Sequence, residues 1–137
     1  MNKSKIMFSL LGILLIIAVC FGLTYIPHKI VNIKPSEVSS ICIFDGGTGK
    51  NIKITNRSDI EYIISNLNSI KFRRDKLSLG YMGYSYRTTI YKNDGSVYKE
   101  FIINSRDTIR KDPFFFKDRT NSIDYDYIRN LINTSTQ

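Results

Sequence analysis

Residues 38–70 read VSSICIFDGGTGKNIKITNRSDIEYIISNLNSI, and this stretch decides the fold class. Its opening, VSSICIFD, is rich in β-branched and aromatic side chains, which suit a pleated surface. Gly46, Gly47 and Gly49 mark a turn, and residues 51–55 (NIKIT) alternate strictly between polar and apolar. Two strands about a glycine-rich turn predict a hairpin. The period then changes. Ile60, Ile63, Ile64, Leu67 and Ile70 recur at helical spacing and form one apolar stripe. Asn56 or Ser58 can accept hydrogen bonds from the first free amides, and Ser58 with Glu61 fits a capping box. Asp59 and Glu61 suit the positive end of the helix dipole, and the helix is expected to stop near Ile70.

Toward the C-terminus, after Lys71 to Arg74, the chain is expected to cross a loop containing Gly80 and Gly83. Residues 84–92 (YSYRTTIYK) and 97–104 (VYKEFIIN) predict two strands. Between them Asn93-Asp94-Gly95-Ser96 makes a tight turn, since Asp-Gly supplies the positive φ it requires. Residues 108–111 and 114–117 add a shorter pairing around Pro113. Alternation there puts Phe114 and Phe116 in the core and leaves Phe115 exposed or against the other face. A last helix is expected over residues 122–132. Ile123, Tyr127, Ile128, Leu131 and Ile132 face inward, with Ser122 and Asp124 at its start. Strand runs broken by a helix, without regular βαβ alternation, predict an α+β fold: a small antiparallel sheet with two helices. Helices on one face leave the other partly wet or available to a partner.

Toward the N-terminus, Ile6 to Ile26 (IMFSLLGILLIIAVCFGLTYI) carries no charge. At about 1.5 Å per residue this helix is roughly 31 Å long, the thickness of a bilayer's hydrocarbon core. The reading is a transmembrane signal-anchor. Ala18-Val19-Cys20 suggests two alternatives, a cleaved signal or an acylated Cys20. The apolar run continues unbroken past that point, and Val19 stands where a lipoprotein pattern wants a small residue. The expected layout is a cytoplasmic tail over 1–5, the span over 6–26, a spacer over 27–35, an exported domain over 36–133 and a polar tail over 134–137. Long C-terminal domains translocate largely regardless of flanking charge, so the domain is expected on the extracytoplasmic side of the cell membrane.

The formal charge is +8, from 20 Lys and Arg against 12 Asp and Glu, and only Lys3 and Lys5 precede the span. A positive domain beside a bilayer is drawn to anionic headgroups or anionic wall polymer. An exterior location argues against nucleic acid as a partner. The two cysteines, Cys20 in the span and Cys42 between Ile41 and Ile43, are not placed to bridge; Cys42 reads as a small buried hydrophobe.

Candidate chemistry is sparse. Asp45-Gly46-Gly47-Thr48-Gly49-Lys50 misses the phosphate-loop pattern at Phe44 and at Asn51, and a strand follows it. His28 is the single histidine, and no spacing matches a zinc or calcium site, so neither metal nor cofactor is expected. Asp45, Asp94, Asp124 and Asp126 read as separate turn or cap carboxylates. No acid, base and nucleophile cluster, which predicts a chain that is not an enzyme. A hydrolase whose two acids are brought together only by the fold is the catalytic alternative. The most notable surface combines Lys71, Arg73, Arg74 and Lys76 with Tyr81, Tyr84 and Tyr86. Such residues grip anionic polymer, sugar or protein, or else protect an edge strand.

Taken together, IFDGGTGKNIKIT, IEYIISNLNSIKF, GYMGYSYRTTIY, NDGSVYKEFIIN and SIDYDYIRNL resemble a family of small membrane-anchored or lipoprotein-like exported proteins of low-GC Gram-positive bacteria. The resemblance covers residues 41–131. It implies a bacterial source and an exported domain of unknown function, and it carries no catalytic residues. The expected function is a membrane-anchored, extracytoplasmic interaction module that binds a protein or an anionic envelope polymer. An immunity or inhibitor protein at the cell surface is the alternative.

Overall fold

The computed structural model describes residues 3–83, 85–120 and 122–135. The chain runs α1 (Lys3–Leu23), a short 3-10 turn (Pro35–Glu37), β1 (Val38–Asp45), β2 (Asn51–Ile54) and α2 (Arg57–Ser69). It continues through β3 (Arg73–Leu77), β4 (Tyr86–Lys92), β5 (Val97–Ile103), β6 (Thr108–Lys111) and β7 (Phe114–Lys117) to α3 (Tyr125–Thr134). The fold is α+β as the sequence predicts, and the basic stretch forms an edge strand, β3, that the expected strand order did not count.

The seven strands form one antiparallel sheet in the order β2-β1-β4-β5-β6-β7-β3. Strands β2 and β3 flank α2 in sequence yet occupy opposite edges. Six strand spacings of about 4.8 Å make roughly 29 Å, and a 13-residue helix supplies about 20 Å of that. Helix α2 therefore carries the chain most of the way across one face. Asn56 caps it: its Oδ1 accepts from the amides of Ser58 (2.9 Å) and Asp59 (3.4 Å). The Ser58 hydroxyl also donates to that oxygen, at 2.6 Å, so Asn56 rather than Ser58 is the cap.

Helices α2 and α3 cover the same face. In register, Ile41 pairs with Ile90, Ile43 with Thr88, Thr88 with Phe101, Tyr86 with Ile103 and Ile103 with Ile109. These side chains meet Ile60, Ile63, Ile64 and Leu67 of α2 and Ile128 and Ile132 of α3 in one core. The helices touch through two tyrosines. Tyr62 donates to Asp124 (2.5 Å), Tyr127 donates to Asp59 (2.7 Å), and the rings lie 4.2 Å apart. The Asp59 hydrogen bond, together with some burial, pushes the Tyr127 hydroxyl up to about 12.

Residues 27–35 are not a free spacer, because Ile30, Val31 and Ile33 are buried in the core. His28 and Phe72 exchange backbone hydrogen bonds of 2.9 and 2.8 Å. The Asn68 side chain accepts from the Ile33 amide and donates to its carbonyl, at 3.3 and 2.7 Å. The fold thus begins at His28.

Helix α1 is 21 residues long, apolar on all sides, and has no buried residue. It is long and apolar enough to cross a membrane. Its regular turns run from Lys3 to Leu23, a slight shift from the apolar run Ile6 to Ile26; residues 24–26 continue as turns bonded back to Phe21, Gly22 and Leu23.

Candidate functional site

The second face of the sheet, away from α2 and α3, carries the side chains that alternate with the core. Register puts Arg87 beside Ile102, Ile102 beside Arg110, Arg110 beside Phe115 and Arg73 beside Lys117. Cys42 also falls out of step with its buried neighbours Ile41 and Ile43. It is half-buried on this face, not the core residue expected.

After β3 the chain folds over this face as a strap, residues 78–83. One arginine fastens it. Arg110 donates from Nε to Asp112 (2.9 Å) and from Nη1 to the carbonyls of Tyr81 (3.0 Å) and Gly83 (3.3 Å). Its side chain is only 13% exposed. Ser78 adds a hydroxyl bond to Asp112 (2.5 Å) and an amide bond to the Pro113 carbonyl (2.8 Å). Gly80 sits at φ +79°, a conformation that disfavours any residue with a Cβ. The Tyr81 ring then stands edge-on to Phe115 at 5.1 Å. The Arg110 and Ser78 hydrogen bonds hold the Asp112 carboxyl below its ordinary range.

This strap decides which of the three phenylalanines is most covered. Phe115 is buried, while Phe114 and Phe116 are half-buried. The alternation is as read, but Tyr81 covers the face that was expected to be open. Phe116 lies on the core side, at its margin.

Beside the strap lies a groove of about 400 Å³, lined by Asp75, Lys76, Tyr81, Asn104, Phe115 and Lys117 among others. Lys76 Nζ lies 5.6 Å from the Phe115 ring. Lys117 pairs with Asp107 at 3.3 Å. Burial would raise the Asp107 carboxyl, but hydrogen bonds from Ser105, Thr108 and Lys117 outweigh it and leave the group low and ionised. Asn104 turns a buried Oδ1 here that has no hydrogen-bond partner among the described residues.

The residues singled out in sequence do not form one surface. Lys76 and Tyr81 meet at the groove, and exposed Arg73 stands in register with Lys117, which lines it. Lys71 is exposed before β3, and Tyr84 lies outside the described residues. Tyr86 belongs to the core. Its ring lies 4.8 Å from that of Tyr125, and burial first, then the Tyr125 hydroxyl, push its own hydroxyl up to about 12. Asn104, Thr108, Phe115 and Lys117 complete the groove. The period of two in TIRK and FFFK was the only sequence signal for the last three, and Asn104 had none.

Arg74 points to the other side of β3 from Arg73. It is 8% exposed. Its guanidinium carbon lies 4.4 Å from the ring centres of Phe21 and Tyr25, beside the end of α1, and 4.5 Å from that of Phe114. Its Nε and Nη2 are buried with no hydrogen-bond partner among the described residues. A buried unsatisfied donor costs about 1–3 kcal/mol, and each ring contact returns about 0.5–2 kcal/mol. Next to it a second groove, of about 480 Å³, runs between Leu23, Thr24, Ile26, His28, Phe114 and Phe116.

Among the described residues no three His, Cys, Asp or Glu side chains gather as metal ligands. No family model, curated protein or solved structure matches the chain.

Proposed function

We propose that this chain is a non-enzymatic, membrane-anchored interaction module that holds anionic envelope polymer in the groove beside the strap. The apolar helix serves as a retained anchor, with the folded domain on the extracytoplasmic side. One observation carries the reading: Lys76 and Lys117 line a groove with the Phe115 ring, Arg73 stands in register with Lys117, and these cations outnumber the lining carboxylate Asp75. Cations beside an aromatic ring suit a polyanion with an apolar backbone, and the attraction weakens with salt over a Debye length of about 8 Å.

The test uses the full chain in nanodiscs with poly(glycerol phosphate) as probe. Reversing both Lys76 and Lys117 to Glu is expected to weaken binding about tenfold, the effect of losing a charge-assisted contact. Unchanged retention sinks the groove. Binding of a protein but not the polymer turns the reading toward the immunity or inhibitor class. For orientation, a cysteine at exposed Asn130, with Cys42 replaced by Ala, is expected to react with a membrane-impermeant thiol reagent on intact cells. Protection there overturns the extracytoplasmic placement.

A further inference from the structure

We propose that Arg74 and the groove beside it form a binding site for the phosphate of an anionic phospholipid, taken from the leaflet in which α1 ends. Three observations converge on this site. The guanidinium is buried among Phe21, Tyr25 and Phe114, and these rings occupy its faces. Its two unpartnered nitrogens, Nε and Nη2, are the side-on pair that meets two oxygens of one phosphate. The adjoining groove is walled by Leu23, Ile26, Phe114 and Phe116, apolar surface suited to the glycerol and upper acyl carbons of a lipid. No carboxylate lines that groove among the described residues, so nothing there competes for the cation.

Depth selects the source of the phosphate. Arg74 meets the ring of Phe21 in the last turn of α1 and that of Tyr25 just beyond it, at the C-terminal end of a helix long enough to span the hydrocarbon core. With α1 in a bilayer, that end lies at the headgroup level, where tyrosine also concentrates. A soluble phosphate would have to enter past the headgroups, whereas a lipid phosphate is already at that height. Arg74 thus reaches the lipid from the folded domain and not from the span. The site requires the retained anchor proposed above but is independent of the strap groove, which opens on the opposite face.

The experiment places the full chain in phosphatidylcholine nanodiscs, adds phosphatidylglycerol in steps, and follows thermal unfolding together with bound lipid by native mass spectrometry. Phosphatidylglycerol is expected to raise the unfolding temperature and to co-purify about tenfold over phosphatidylcholine, the preference a charge-assisted fork supports. Arg74→Met keeps the volume between the rings and is expected to abolish both effects, and Arg74→Lys is expected to lose most of the preference with its fork. Arg73→Gln, on the other face, is expected to change neither. Equal effects of the two lipids on the wild-type chain overturn the proposal even if no variant folds. So does an undiminished preference in Arg74→Met, and so does millimolar inorganic phosphate stabilising the chain as well as the lipid does. Cleavage of the helix in cells, read from the mass of the mature chain, removes the anchor without altering these titrations, so the two failures are distinguishable.

Discussion

Arg110 and Arg74 lie on opposite faces of one sheet, and their guanidinium groups are housed in different ways. Arg110 is held by a carboxylate and two backbone carbonyls, all from its own fold. Arg74 is enclosed by rings, and two of its nitrogens meet no acceptor among the described residues. The first arrangement is internally complete and fastens a loop. The second satisfies stacking but not hydrogen bonding, and it does so where the apolar helix α1 joins the domain. A buried cation whose donors are satisfied is structure; one left with free donors points to something outside the chain.

The widest separation between the two sites comes from the aromatic residue beneath the strap. Phe115→Ala removes the ring on which Tyr81 rests and is expected to cost about 3 kcal/mol, read from the urea midpoint of the full chain in micelles. A loss under about 1 kcal/mol would mean that the strap does not pack in solution. Arg110→Met is expected to cost about 2 kcal/mol by leaving the Tyr81 and Gly83 carbonyls without their donor. Arg74→Met, by contrast, is expected to change stability in a phosphatidylcholine bilayer by less than about 1 kcal/mol, because an apolar side chain fits among rings without stranding an acceptor. Equal costs for the two arginines would erase the contrast. The smallest effect is acid sensitivity. Asp112 is held below its ordinary range, so its support of the strap is fully present above about pH 4 and is lost as pH falls through the lower, folded value. Carboxyl carbon chemical shifts are expected to show that depressed titration in the wild type and an ordinary one in Arg110→Met.

Most of the fold was legible because its signals are local. The glycine turn, the Asp-Gly turn, the isoleucine stripe of α2 and the Asp124 start of α3 each sit within a few residues of what they control. Strand β3 was legible only as a charge-protected edge and was left out of the predicted strand order, because RRDKL has no apolar alternation; its pairing is with β7, about forty residues on in sequence. The same non-local pairing splits Arg73 from Arg74. In sequence they form one basic cluster, yet successive residues of a strand face opposite ways, so one became an exposed cation and the other a buried one. Phe115 shows the converse limit. Alternation assigned its face correctly, but the cover on that face comes from a strap whose path no periodicity encodes.

The backbone exchange between His28 and Phe72, with the Asn68 clamp on Ile33, gives the molecule a stiff neck. A domain on a flexible leash samples a range of heights and tilts above its membrane. Here only residues 24–27 separate the helix from the first residue locked to the sheet. Were α1 anchored as proposed, so short a joint would narrow the heights open to the groove beside the strap, and reach as much as chemistry would decide what it meets.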